Sequence, residues 1–69
     1  MKFYLLIYKV CGDEFHYNFC ELDAKHAKAK AEEYLCEHPT YMKLTQVNMR
    51  GVWHSHNNWN YDFENKKWY

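Results

Sequence analysis

The sequence has few residues that interrupt folded structure: one proline, two glycines and a single serine, Ser55. It has no linker, no low-complexity stretch and no internal repeat, so residues 1–69 are predicted to form one domain. No charged leader with a cleavage-like site precedes the apolar run of residues 3–8, and that run is too short to span a membrane. We therefore expect a cytoplasmic protein.

Neither sign of charge is in excess, because nine basic residues balance nine acidic ones. A typical nucleic-acid-binding domain carries a basic excess. A protein that imitates nucleic acid would carry a strong acidic excess. The balance therefore weakens both interpretations.

The cysteines do not form a recognisable framework. There are three of them, an odd number, and no CxxC pair, which disfavours a secreted disulfide scaffold. Free cysteine behaves like a small hydrophobic residue, so we expect these thiols to be reduced and buried. The three are Cys11, Cys20 and Cys36.

Catalytic and cofactor motifs are also missing from the sequence. There is no Gly-rich phosphate loop and no serine-nucleophile motif, and so short a chain has little room for a pocket of about 300–1,000 Å³. His54 and His56 would share one face of a strand and could bind one metal ion together, but the sequence nominates no third ligand. We expect surface positions for both, no metal, no cofactor and no enzymatic activity.

Alternating and apolar segments predict several strands around one helix. Asp23 has the chemistry of an N-cap for a helix from Ala24 to Glu37, which Pro39 would end. This predicts an α+β fold in ββαβββ order, with one antiparallel sheet of four to five strands and the helix packed on one face. The predicted strands are residues 2–11, 15–21, 41–49, 52–56, 59–63 and 68–69, with turns at Gly12–Glu14, Arg50–Gly51, Asn57–Asn58 and Glu64–Lys67.

Aromatic residues are abundant: seven tyrosines, four phenylalanines and three tryptophans. One helix covers one face of a sheet, so many rings would lie on the other face and form a binding surface. Trp59, Tyr61 and Phe63 share one face of a strand and are flanked by Asn57, Asn58 and Asn60. Trp59 and Tyr61 are the strongest candidates for such contacts. The alternative is that this face is the core under the helix, and both interpretations remain open.

The charges of the predicted helix oppose its dipole, with Lys25, Lys28 and Lys30 in the first half and glutamates in the second. This placement favours a basic patch that meets an acidic partner or a phosphate backbone. The alternative is an ordinary solvated face with weak ion pairs, such as Lys28 with Glu32.

Three segments resemble a family of small phage-encoded anti-CRISPR proteins that act on type I-F surveillance complexes. They are Met42-Lys43-Leu44-x-x-Val47-Asn48, Gly51-Val52-Trp53 and Asn65-Lys66-Lys67-Trp68. The order of the first strand and the alanine-rich helix is compatible with that family. The chain departs from the pattern at Met49-Arg50 and over residues 57–63, which leaves the subtype and the target subunit open.

The resemblance implies a non-enzymatic inhibitor that docks on protein subunits of the surveillance complex in the host bacterial cytoplasm and blocks binding of target DNA. Contacts with the adjacent nucleic-acid backbone would be possible. The basic positions that match are Lys66 and Lys67, with Lys28 and Lys30 on the helix. The alternative function is a small nucleic-acid-binding module that stacks bases on tryptophan and tyrosine and binds phosphates through lysine.

Overall fold

One antiparallel sheet and one helix make up the described structure. The computed structural model describes residues 1–47 and 53–69, and for residues 53–56 it describes the backbone alone. The sheet order is β2-β1-β3-β4-β5, which confirms the α+β prediction. The elements are β1 (Lys2–Val10), β2 (Asp13–Glu21), α1 (Ala24–Glu32), a 3₁₀ segment (Glu33–Glu37), β3 (Tyr41–Val47), β4 (Trp53–Asp62) and β5 (Lys67–Trp68).

The first two strands form a regular hairpin with a tighter turn than the sequence predicted. The loop is Cys11-Gly12, and both residues have positive φ, at 53° and 86°. This is a type I′ turn, whose twist matches that of the flanking strands. The strands pair without interruption from Val10 opposite Asp13 to Lys2 opposite Glu21. The predicted turn at Gly12–Glu14 was therefore misplaced, because Asp13 and Glu14 belong to β2.

The helix begins where its cap residue predicts. An Asp23 carboxylate oxygen accepts a hydrogen bond from the His26 backbone N–H at 2.9 Å, which satisfies one of the free donors of the first turn. The predicted span to Glu37 is correct, but its last five residues are 3₁₀ rather than α-helical. His38 ends the segment in the left-handed conformation, with φ 56°. Pro39 follows and disfavours a helical conformation in the residue before it.

The C-terminal half differs from the prediction at Asn57–Asn58. A turn was expected there, yet both residues lie within the single strand β4. Asn57 donates to the Gln46 side chain at 3.0 Å, and Asn58 accepts from the Thr45 hydroxyl at 2.8 Å. These cross-strand bonds satisfy the amides inside the sheet. The predicted turn at Arg50–Gly51 lies outside the described residues.

The main core lies between the sheet and α1. Ala27 and Ala31 are fully buried and let the helix approach the strands closely. The Tyr4 hydroxyl is buried there without a hydrogen-bond partner among the described residues. Burial first, and the nearby Asp23 charge second, raise the pKa of Tyr4, so this phenol stays neutral. The buried residues are Tyr4, Leu6, Tyr8, Phe19, Ala27, Ala31, Met42, Leu44 and Tyr61.

The opposite face of the sheet carries a smaller apolar strip. Leu5, Ile7 and Val47 are buried and pack with Phe3. The apolar run of β1 thus contributes to both faces, as expected for a central strand.

The three cysteines do not lie in the core. All three cysteines are free and exposed, so the expectation that they are buried was wrong. Their positions are the hairpin turn, the edge strand β2 and the 3₁₀ segment, where the packing is one-sided.

Within residues 1–47 and 53–69, no helix is long and apolar enough to cross a membrane.

Candidate binding surfaces

Two of the residues predicted to bind a partner face the helix. Tyr61 is 8% exposed and belongs to the main core. Trp59 is half-buried, packs against that core and lies 6.5 Å from the Tyr4 ring, centroid to centroid. The structure therefore places this alternating row under α1, as the core alternative predicts. Tyr61 has little surface left for a partner.

Lys28 contacts the same tryptophan. Its Nζ atom lies 5.0 Å from the centroid of the Trp59 ring, where a cation–π contact is favourable. One turn later in α1, the Glu32 carboxylate accepts a hydrogen bond from the Trp68 indole N–H at 3.0 Å. These two contacts connect the helix to β4 and β5. Lys28 thus has a role within the fold that the sequence analysis did not predict.

Lys30 has a different environment from the one predicted. Because α1 ends at Glu32, Lys30 lies in the last helical turn, where a positive charge is favourable to the helix dipole. The opposition of charge and dipole therefore does not apply to Lys30. Lys25 lies in the first turn, which contains no acidic residue, so the charge does oppose the dipole at the start of the helix.

The turn between β4 and β5 is held by one carboxylate. Asp62 accepts hydrogen bonds from the backbone N–H groups of Glu64 and Asn65, at 3.0 and 3.3 Å. Its second oxygen accepts from the Asn65 side chain at 2.7 Å. After the turn, Asn60 and Tyr69 exchange two backbone hydrogen bonds of 2.9 Å. The end of the chain is therefore fixed beside β4.

This turn presents basic and aromatic side chains together. Lys66 and Lys67 are exposed, and the flanking Phe63 and Tyr69 are 36% and 71% exposed. We call these four residues the C-terminal patch. It contains two of the predicted partner-binding residues, Phe63 from the predicted aromatic row, and Tyr69, which the sequence analysis did not select. The charged turn that precedes Tyr69 in the sequence is a signal that could have identified it.

The pH response of this turn follows from Asp62. Hydrogen bonds from the Asn65 side chain, the Asn65 backbone and the Glu64 backbone lower the Asp62 pKa below its ordinary 3.8. A lowered carboxyl pKa stabilises the folded turn above pH 3.8, and that contribution is lost as the pH falls through the folded-state value. We expect the Glu64 and Asn65 amide NMR signals to shift with a midpoint below 3.8. Asp62→Ala should abolish this transition, and a midpoint above 3.8 would contradict the assignment.

The uncovered face of the sheet is mostly polar around its apolar strip. A hydrogen bond from His16 at 2.7 Å lowers the pKa of Glu14. Leu5 and Ile7 are 7% and 8% exposed, so the strip offers a partner little area. Other residues of this face include Lys9, Asn18, Cys20, Tyr41, Lys43, Thr45, Asn58 and Asn60.

A metal centre has no support in the part of the chain that the structure describes. No group of three or more histidine, cysteine, aspartate or glutamate residues there could hold a metal ion. The side chains of His54 and His56 lie outside the described residues, so their predicted surface position stays a prediction.

The chain was compared with protein-family models, curated proteins and solved structures, and no match was found in any of the three.

Proposed function

We propose that this protein is a non-enzymatic inhibitor that binds a CRISPR surveillance complex through protein contacts and blocks its binding to target DNA. The observation that carries the binding role is the C-terminal patch, where two lysines stand beside two exposed aromatic rings on a fixed turn. Aromatic side chains supply contact area, and charged ones set orientation and the association rate. The choice of partner follows from the resemblance of the segments around Val47, Trp53 and Lys66, and the site of action would be the host cytoplasm.

The mixed charges and the position of the rings favour a protein partner over a free nucleic acid. A stacking platform needs several exposed rings in a basic groove. Trp59 and Tyr61 instead pack against the core, and the exposed lysines of the patch stand beside Glu64. Contacts with a nucleic-acid backbone would then be secondary to docking on protein.

The test is co-purification with a purified type I-F surveillance complex. The double variant Lys66→Glu, Lys67→Glu is expected to bind at least about tenfold more weakly, since it reverses the charge of the patch. Its melting temperature should match that of the parent, because both side chains are exposed. A matched control is Lys2→Glu, Lys9→Glu, which makes the same change in net charge at two exposed positions of β1.

The outcomes separate the alternatives. Equal weakening by both double variants would show a net-charge effect and remove the patch from the interface. Failure of the parent to bind any surveillance complex would refute the proposed partner. Binding of single-stranded DNA by the isolated protein, with strong salt dependence, would support the nucleic-acid-binding module instead. Lys28→Glu is unsuitable for this test because it would also break the contact with Trp59.

A further inference from the structure

An aromatic cluster reaches solvent where the β1–β2 hairpin meets the end of the helical segment. The Phe15 ring is 43% exposed and stacks on Tyr8, with the two centroids 5.3 Å apart. Tyr34 of the 3₁₀ segment contacts Tyr8 at 5.1 Å and Tyr17 at 5.6 Å. Because β2 lies first in the strand order, its rings have a neighbouring strand on one side only. The cluster is therefore packed on its inner side and exposed at the edge of the sheet.

Two carboxylates lie beside this cluster. The register places Asp13 on the helix side of β2, two residues from Phe15, so both side chains project from the same face. Burial first, and the charge of Glu37 second, raise the pKa of Tyr8, which indicates that the Glu37 carboxylate is near the Tyr8 phenol. Neither carboxylate belongs to an ion pair among the described residues. We call Asp13, Phe15, Tyr34 and Glu37 the hairpin patch.

Few positive charges compete for the two carboxylates of the hairpin patch. Lys9 and His16 instead pair with Glu14 on the other face of the sheet, at 4.0 and 2.7 Å. Lys30 of the last helical turn and His38 after the 3₁₀ segment are the nearest basic residues of the helical segment. One lysine offsets at most one of the two carboxylates, and the helix dipole adds partial negative charge at this end. The hairpin patch is therefore a negative, aromatic surface.

We propose that the hairpin patch binds an arginine side chain of a partner protein. A guanidinium group can stack on an aromatic face and pair with a carboxylate at the same time. The hairpin patch offers the exposed ring of Phe15 together with two carboxylates that have no ion pair among the described residues. A lysine ammonium would gain the charge contact without the planar stacking. A nucleic-acid backbone is disfavoured, because its phosphates carry the same sign of charge as the hairpin patch.

This inference rests on the proposed protein-binding function and adds to it a second contact surface, of opposite charge to the C-terminal patch. The C-terminal patch would meet acidic groups of the partner, and the hairpin patch would meet a basic one. Such a pairing of charges fixes the orientation of docking more than it raises the affinity.

The probe is a blocked glycine–arginine–glycine peptide, and its matched control carries citrulline, which keeps the planar end group but has no charge. We expect the arginine peptide to shift the ring NMR signals of Phe15 and Tyr34 and to saturate in about the millimolar range. A lysine peptide should bind about two- to fivefold more weakly. The citrulline peptide should give no saturable shift, and the signals of Phe63, another exposed ring, should not respond to any of the three.

The decisive variant is Asp13→Asn with Glu37→Gln, which removes both charges at exposed positions and keeps the shape of the side chains. It should weaken binding of the arginine peptide about three- to tenfold and abolish the preference for arginine over citrulline. The control Glu21→Gln with Glu64→Gln makes the same change in net charge away from the hairpin patch and should bind like the parent.

A second pair of variants tests the ring. Phe15→Leu keeps an apolar side chain without the aromatic face and should weaken binding about two- to fivefold, whereas Phe63→Leu should have no effect. Unchanged binding by the double charge variant overturns the inference. Equal binding of the citrulline peptide, or tighter binding of the lysine peptide, also overturns it.

The surveillance complex separates this inference from the proposed function. If the parent binds the complex but the arginine peptide does not shift the signals of the hairpin patch, the inference fails while the proposed function stands. If the arginine peptide binds the hairpin patch selectively but the parent binds no surveillance complex, the inference stands and the proposed partner is wrong.

Discussion

Replacement of Ala31 by glutamate is expected to lower the free energy of unfolding by about 2–5 kcal/mol, because it places an unpaired charge in the core. Ala31 is fully buried between α1 and the sheet. A small domain has only about 5–15 kcal/mol of stability, so the loss should be plain in urea denaturation. The matched control is Ala29→Glu, at an exposed position of the same helix, which should stay within about 0.5 kcal/mol of the parent. Equal effects of the two variants would show that the helix packs through another face.

Replacement of Tyr61 by alanine is expected to cost about 3–5 kcal/mol, the range for removing a large ring from a core. Its ring makes edge contacts with Phe63 and Trp68, each at a centroid distance of 5.0 Å. Thermal melting of Tyr61→Ala should therefore show a large decrease in melting temperature.

Two control variants sharpen the interpretation of Tyr61. Phe63→Ala removes a neighbouring ring that is 36% exposed, and Tyr61→Phe keeps the ring, so both should cost much less. If Tyr61→Ala instead melts like the parent but fails to bind a partner, Tyr61 is a contact residue and its assignment to the core is wrong.

Local signals in the sequence were sufficient to predict much of the fold. The alternation along β2 follows from the period of a strand. Asp23 identified the start of the helix and Pro39 its end, because capping and proline act through short-range geometry. The closely packed alanines at positions 27 and 31 also followed from helical spacing. These features need no knowledge of the rest of the chain.

The predicted turn at Asn57–Asn58 failed for a reason that local chemistry does not reveal. Asparagine favours turns because its side chain bonds to nearby backbone. In β4 the two amides instead bond to Thr45 and Gln46 of the neighbouring strand. That alternative exists only once β3 and β4 are paired, and the pairing is a long-range property.

Long-range contacts also determine which face of the sheet carries the aromatic residues of the candidate site. A period of two predicts that Trp59 and Tyr61 share a face, but not which face the helix covers. The contacts of Lys28 with Trp59 and of Glu32 with Trp68 show that the helix covers this face. Both contacts join segments that are distant in the sequence. The exposed pair Lys66 and Lys67 was predictable because a turn of charged residues remains in solvent in either arrangement.

The tight Cys11-Gly12 turn also bears on the order in which the chain folds. Contacts between β1 and β2 are close in sequence, and hairpins of this kind form in about 1–10 μs. Pairing of β3 with β1 requires the chain to pass through the whole helical segment first, which carries a larger loop-closure cost. The hairpin is therefore the element best placed to form early, and docking of β3 onto its free side is the slower event that commits the chain to its native topology.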